Sequence, residues 1–203
     1  MNKTDISIDK LHIPRWNELP NVDLYLDQVV NLINSTFSSY ISLDNDVKKQ
    51  ENQILTKTMI NNYVKNGLID APTRKLYSKI QLAKLFVICI LKQVYSMHEI
   101  RILIKMALKY GTDEETYNNF CDLFEEALYC TYNKIDFIDQ NSHNNSLYLM
   151  KSILLSCSYK IYVQNIINKR NKRWNYVWDK NANSKTFYWK KKPNNWKRLW
   201  TYV

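Results

Sequence analysis

Three histidines, four cysteines and two acidic pairs are the residues of this chain whose types could support catalysis or metal binding. Their spacing supports neither. Nucleophilic catalysis needs a base beside the nucleophile. His98 falls inside a Ser96-x-x-Glu99 pattern that marks a helix start, and His12 and His143 stand in loop-like stretches without a partner pattern. Cys89, Cys121, Cys130 and Cys157 are 32, 9 and 27 positions apart with no C-x-x-C pair. Each lies in an apolar run, where a free thiol behaves as a small buried hydrophobe. Glu114-Glu115 and Glu125-Glu126 read as a solvated helix face, and two isolated glycines cannot build a phosphate-cradling loop. No enzyme is expected, and no catalytic residue, metal or cofactor.

A different chemistry is concentrated between residues 56 and 77. Thr56 stands at the start of one short predicted helix, 57–66, which carries Lys57, Thr58, Asn61, Asn62, Tyr63 and Lys65 and which Gly67 stops. Ile60 and Val64, four apart, face inward, which turns amides, hydroxyls and ammonium groups outward. An Asn amide can pair with the two major-groove groups of adenine, and Lys side chains suit the flanking phosphates. A helix of this length, ~15 Å, fits a major groove. The connector that follows, 70–77, is kept out of helix by Pro72 and carries Arg74, Lys75 and Tyr77. These ten residues, Thr56 to Lys65 as named together with Arg74, Lys75 and Tyr77, are the candidate DNA contacts.

The elements that must position them are helical. With 203 residues, 2 Gly and 4 Pro, the tight turns of a sandwich or barrel are largely unavailable. Leu26, Val29, Val30, Ile33 and Phe37 make an amphipathic helix over 23–38 with Asp23 as its expected N-cap. Residues 41–54 read as a polar loop. Three capping boxes then follow: Ser78 with Gln81, Ser96 with Glu99, and Thr112 with Glu115. They predict helices to about Tyr95, Tyr110 and Tyr132, the first apolar nearly all round and therefore central. A polar stretch over 133–145 precedes a last helix at 147–168, which offers Leu154, Tyr159, Ile161, Tyr162, Ile166 and Ile167 for packing. The fold class is all-α, with six helices.

Charge divides the chain. Residues 1–167 hold 18 basic and 18 acidic side chains, whereas 168–203 hold 11 basic residues against Asp179 alone. Five of the six tryptophans stand in that tail. Its composition suits nucleic acid, an anionic membrane surface, or an extension without a selected role. No apolar run reaches the ~20 residues of a membrane span, and the amino terminus carries no signal-like stretch. A cytoplasmic protein is expected.

The order 58–69, Thr-Met-Ile-Asn-Asn-Tyr-Val-Lys-Asn-Gly-Leu-Ile, then Pro72, Arg74 and Tyr77-Ser78, resembles the winged helix-turn-helix of MerR-like regulators. Leu24 to Val29, Leu55 to Lys65, Leu91 to Val94 and Lys160 to Tyr162 look more closely like the YkrK-type bacterial family, a domain of unknown function thought to act in transcription control. The resemblance implies a winged helix-turn-helix over 16–110, with 57–66 as recognition helix and 70–77 as a short basic wing. It also implies a helical regulatory or dimerisation region over 111–167, ahead of the basic, Trp-rich tail 168–203. A homodimer on double-stranded DNA is the expected assembly. The alternative is a helical protein–protein interaction module that reads no DNA sequence.

Overall fold

A computed structural model describes residues 12–38, 53–109, 111–137 and 145–181, the last thirteen by backbone alone. The chain divides into one compact unit that ends at Asn168 and a second from Lys169 onward. The basic and aromatic side chains of the tail lie outside the described residues, as do most of the loops expected at 41–54 and 133–145.

The order of elements is β1 (Leu24–Tyr25), α1 (Leu26–Phe37), α2 (Lys57–Lys65), β2 (Leu76–Tyr77), α3 (Lys79–Leu91), α4 (Met97–Ala107), α5 (Asp113–Asn133) and α6 (Asn145–Asn181). The fold is all-α but for β1 and β2, which pair antiparallel with Leu24 opposite Tyr77 and Tyr25 opposite Leu76. That pairing corrects the expected start of α1. Asp23 is not its cap; residues 24–25 are drawn into the ladder, and Gln28 Oε1 reaches back to accept from the Tyr25 N–H at 2.8 Å.

The three capping boxes form as the spacing predicts, each with a hydroxyl at the N-cap and a Gln or Glu three residues on returning the bond. Helix α3 is buried almost all round, with Leu82, Leu85, Phe86, Ile88 and Ile90 at the centre of the core. It packs on α5, so the regions on either side of residue 110 share one interior. All four cysteines are free and buried within it. Burial pushes the thiols of Cys89, Cys121 and Cys157 up to about 12.

The face around Glu125 is not the solvated surface expected. Arg15 grips Glu125 with two hydrogen bonds of 2.8 and 2.6 Å, and the Ile13 N–H donates to the same carboxylate at 2.6 Å. Asp122 accepts from Arg15 Nε at 2.9 Å, and Tyr117 donates to the Pro14 carbonyl at 2.8 Å. The segment around Trp16 is thereby strapped to α5, a long-range use of Glu125 that no local pattern announces. On α6, Leu154 and Ile161 are buried as expected, whereas Tyr159 and Ile167 face outward with Val163 between them.

Candidate nucleic-acid interface

Helix α2 is built by local chemistry at both ends. Thr56 accepts from the Met59 N–H at 3.2 Å and satisfies a backbone donor that the first turn leaves open. At the other end Gly67 adopts φ +63°, its N–H donates to the Val64 carbonyl, and the Leu68 N–H donates to that of Tyr63, both at 2.9 Å. These two bonds form a Schellman close, and buried Leu68 and Tyr63 supply its apolar contact.

One face of α2 enters the core through Ile60 and Tyr63, with Met59 and Val64 half-buried beside them. At ~100° per residue, the other residues form one unbroken arc of about half the circumference, ordered Lys57, Asn61, Lys65, Thr58, Asn62, Asn66. All six are exposed, and the arc holds no apolar side chain. The Asn61 and Asn62 amides have no hydrogen-bond partner among the described residues. Lys57 pairs with Asp27 of α1, both partners exposed. Asn66 joins the arc as a residue that spacing alone did not select; it caps the helix and donates from Nδ2 to the Asn62 carbonyl at 2.7 Å.

Two of the ten candidate contacts are corrected. Tyr63 is 1% exposed and Tyr77 3%, so both belong to the core and neither can reach a ligand at the surface. Burial, with a smaller contribution from Cys89, pushes the Tyr63 phenol well above the ordinary tyrosine range; burial also raises Tyr77. Lys92 Nζ lies over the Tyr63 ring at 5.1 Å. The aromatic that precedes Gly67-Leu68 thus anchors the helix rather than reading with it.

The basic connector is a reversal rather than an extended run. Thr73 and Leu76 exchange two backbone hydrogen bonds, of 3.1 and 2.9 Å, around Arg74 and Lys75. Both central residues are left-handed, at φ 51° and 67°. This is the geometry of the two-residue turn usually made by Asn-Gly. Here two long cations occupy it, both exposed.

Two amide side chains inside the body hold the helix and the turn. Asn34 of α1 donates to the Leu55 carbonyl at 2.8 Å and accepts from its N–H at 3.1 Å, which fixes the chain just before Thr56. Gln81 accepts from the Ser78 N–H at 2.7 Å with Oε1 and donates with Nε2 to the carbonyls of Asp70 and Ala71, at 2.8 and 3.2 Å. A single residue therefore caps α3 and tethers the base of the connector. Spacing identified the capping half of that role and gave no sign of the tether.

The exposed cations of the helix and the turn are Lys57, Lys65, Arg74 and Lys75, with Asp27 on α1 and Asp70 at the base of the connector exposed as well. Among the described residues no group of three or more His, Cys, Asp or Glu side chains could hold a metal ion. No helix among them is long and apolar enough to cross a membrane. A family model described as a domain of unknown function matches residues 14–127, which runs from the Arg15 strap through α1 to α4 and most of α5. No curated protein and no solved structure matches the chain.

Proposed function

This chain belongs to the DUF1836 family, whose description names no activity, and for it we propose sequence-specific binding of double-stranded DNA as a transcription regulator. In this reading α2 is the recognition helix of a MerR-like winged helix-turn-helix, and the Arg74-Lys75 turn is its wing. The observation that carries it is the α2 arc: two amides unpartnered among the described residues, framed by Lys57, Thr58 and Lys65, with two exposed cations on a hydrogen-bonded turn close by in sequence. Amides read base edges while cations fix position on phosphates, and an arc with no apolar residue offers little to a protein partner. The YkrK-type resemblance points the same way.

A homodimer fits the outward stripe of Tyr159, Val163 and Ile167, spaced four apart on α6. Two reading helices would then meet half-sites ~34 Å apart. The test is a mobility-shift titration of the chain on DNA upstream of its own gene and on a scrambled duplex, with Asn61→Ala plus Asn62→Ala alongside. The reading expects the double variant to bind both duplexes equally. A variant that keeps the wild-type preference removes α2 as the reader. Removal of residues 169–203 leaves the preference intact if α2 supplies it; binding that vanishes with the tail favours the interaction-module alternative.

A further inference from the structure

Between α3, α4, α5 and the first turns of α6 lies a cavity of about 140 Å³, open on one side, with Val87, Leu103, Phe120 and Ile153 among its walls. An apolar space of ~150 Å³ accepts one benzene ring. Two charged residues also line it, Lys84 from α3 and Asp113 from α5. They are not equivalent. Asp113 is the first residue of α5, where the helix N-terminus favours a negative charge. Lys84 has no such support. Its side chain is 24% exposed, it stands among apolar lining residues, and its ion pair among the described residues is with Asp70 at 3.6 Å, a carboxylate 84% exposed to water. An ammonium in so long an ion pair, with so exposed a partner, is open to exchange for a closer carboxylate.

We propose that the cavity binds a small apolar molecule ending in one carboxylate, of benzoate size, and that this carboxylate takes Lys84 from Asp70. The ring fills the space between Val87, Leu103, Phe120 and Ile153; the acid group meets the ammonium at the rim. The exchange has a consequence for the connector. Asp70 is attached to α3 twice, through its carbonyl to Gln81 and through its carboxylate to Lys84. Ligand binding releases the second attachment and leaves the base of the Arg74-Lys75 turn on Gln81 alone. That consequence rests on the DNA-binding reading, whereas the ligand site does not.

The experiment titrates the full chain with 4-fluorobenzoate and, as a neutral control, fluorobenzene, followed by ¹⁹F line shape. Wild type is expected to bind both saturably at one site. Lys84→Met keeps the apolar stem and is expected to weaken 4-fluorobenzoate about ten-fold or more, the loss typical of a hydrogen bond to a charged group, while fluorobenzene is unchanged. Asp70→Asn removes the competitor and is expected to tighten 4-fluorobenzoate about two- to five-fold, the range of an exposed ion pair. Ala107→Phe, which adds a ring to the lining, is expected to abolish both. The proposal is overturned if wild type shows no saturable binding, if Lys84→Met binds 4-fluorobenzoate as wild type does, or if Asp70→Asn does not tighten it. Saturable binding with no change in DNA affinity overturns the link to the connector, and is distinguishable from failure of the site because the titration needs no DNA.

Discussion

Replacement of Arg74-Lys75 by Asn-Gly separates what the turn costs from what it does. A left-handed conformation costs a residue with a β-carbon ~1–2 kcal/mol, and two successive residues adopt it here, at φ 51° and 67°. Asn tolerates the conformation better and Gly bears no penalty, so roughly 2 kcal/mol of native-state strain is relieved. Gly also gives the unfolded chain more freedom, which returns about 0.5–1 kcal/mol. The net expectation is a gain of about 1–1.5 kcal/mol. For a folded unit of this size each kcal/mol moves the melting temperature by roughly 2–4 °C, so the rise should be roughly 2–6 °C. DNA binding should move the other way. If each cation neutralises one phosphate, the slope of log K against log salt loses ~0.9 per contact, about 1.8 for the pair. Thermal melts and fluorescence anisotropy over a range of salt concentrations measure the two effects on one protein. A melting temperature that fails to rise refutes the strain argument. A salt slope equal to wild type refutes the placement of this turn on the phosphate backbone.

Three further outcomes follow from the same geometry. Gly67→Ala should lower stability by ~1–2 kcal/mol through backbone conformation alone, because an added β-carbon would meet nothing closer than an Arg101 nitrogen at 4.0 Å; an equal melt would show that α2 does not need its left-handed close. The Glu99 and Glu115 carboxyls are held below their ordinary 4.5, Glu99 first by the Ser96 hydroxyl and Glu115 first by the Thr112 N–H. The unfolded chain therefore binds more protons in that window, and the caps' contribution is present above pH 4.5 and lost as pH falls through the lower folded values. Acid melts should show a shallower loss for Glu99→Gln plus Glu115→Gln, and parallel curves would refute the linkage. Finally, the buried thiols should resist maleimide at pH 8 and react only on unfolding, since burial holds Cys89, Cys121 and Cys157 near 12; rapid labelling of the folded protein would contradict that packing.

What was legible in the sequence was local. Ser78, Ser96 and Thr112 announce their helices because a cap and its return bond span three residues, and Gly67 announces a stop because few other residues take its φ. Ile60 could be assigned to the core from period alone, and the polar arc of α2 follows as its complement. Tyr63 could not be assigned by residue type, since a phenol serves equally as a surface contact or a buried anchor; burial against α3 decides it. The pairing of Leu24 with Tyr77 joins residues more than fifty positions apart, so residues 23–25 read locally as the start of a helix and are claimed instead by a ladder. The turn at Arg74-Lys75 escaped for the opposite reason: its residue types contradict its conformation, and only the closing bonds between Thr73 and Leu76 reveal it.

The same contrast explains how the candidate surface keeps its shape. Among the described residues the side chains of the α2 arc and of Arg74-Lys75 make one tertiary ion pair, the exposed Lys57–Asp27, so their geometry is set from beneath. Asn34 fixes the approach to α2, Tyr63 anchors its last turn, Gln81 holds the connector, and all three draw their constraint from α1 or α3. An Asn34→Leu change keeps the branched shape of the side chain but leaves the Leu55 N–H and carbonyl without the Asn34 amide, each a penalty of ~1–3 kcal/mol. Substitution of Asn61 or Asn62, whose amides bond to nothing in the body, should be close to neutral for folding. A helix face whose outer amides are thermodynamically idle, held by inner residues that are not, is free to vary its recognition chemistry without loss of the fold.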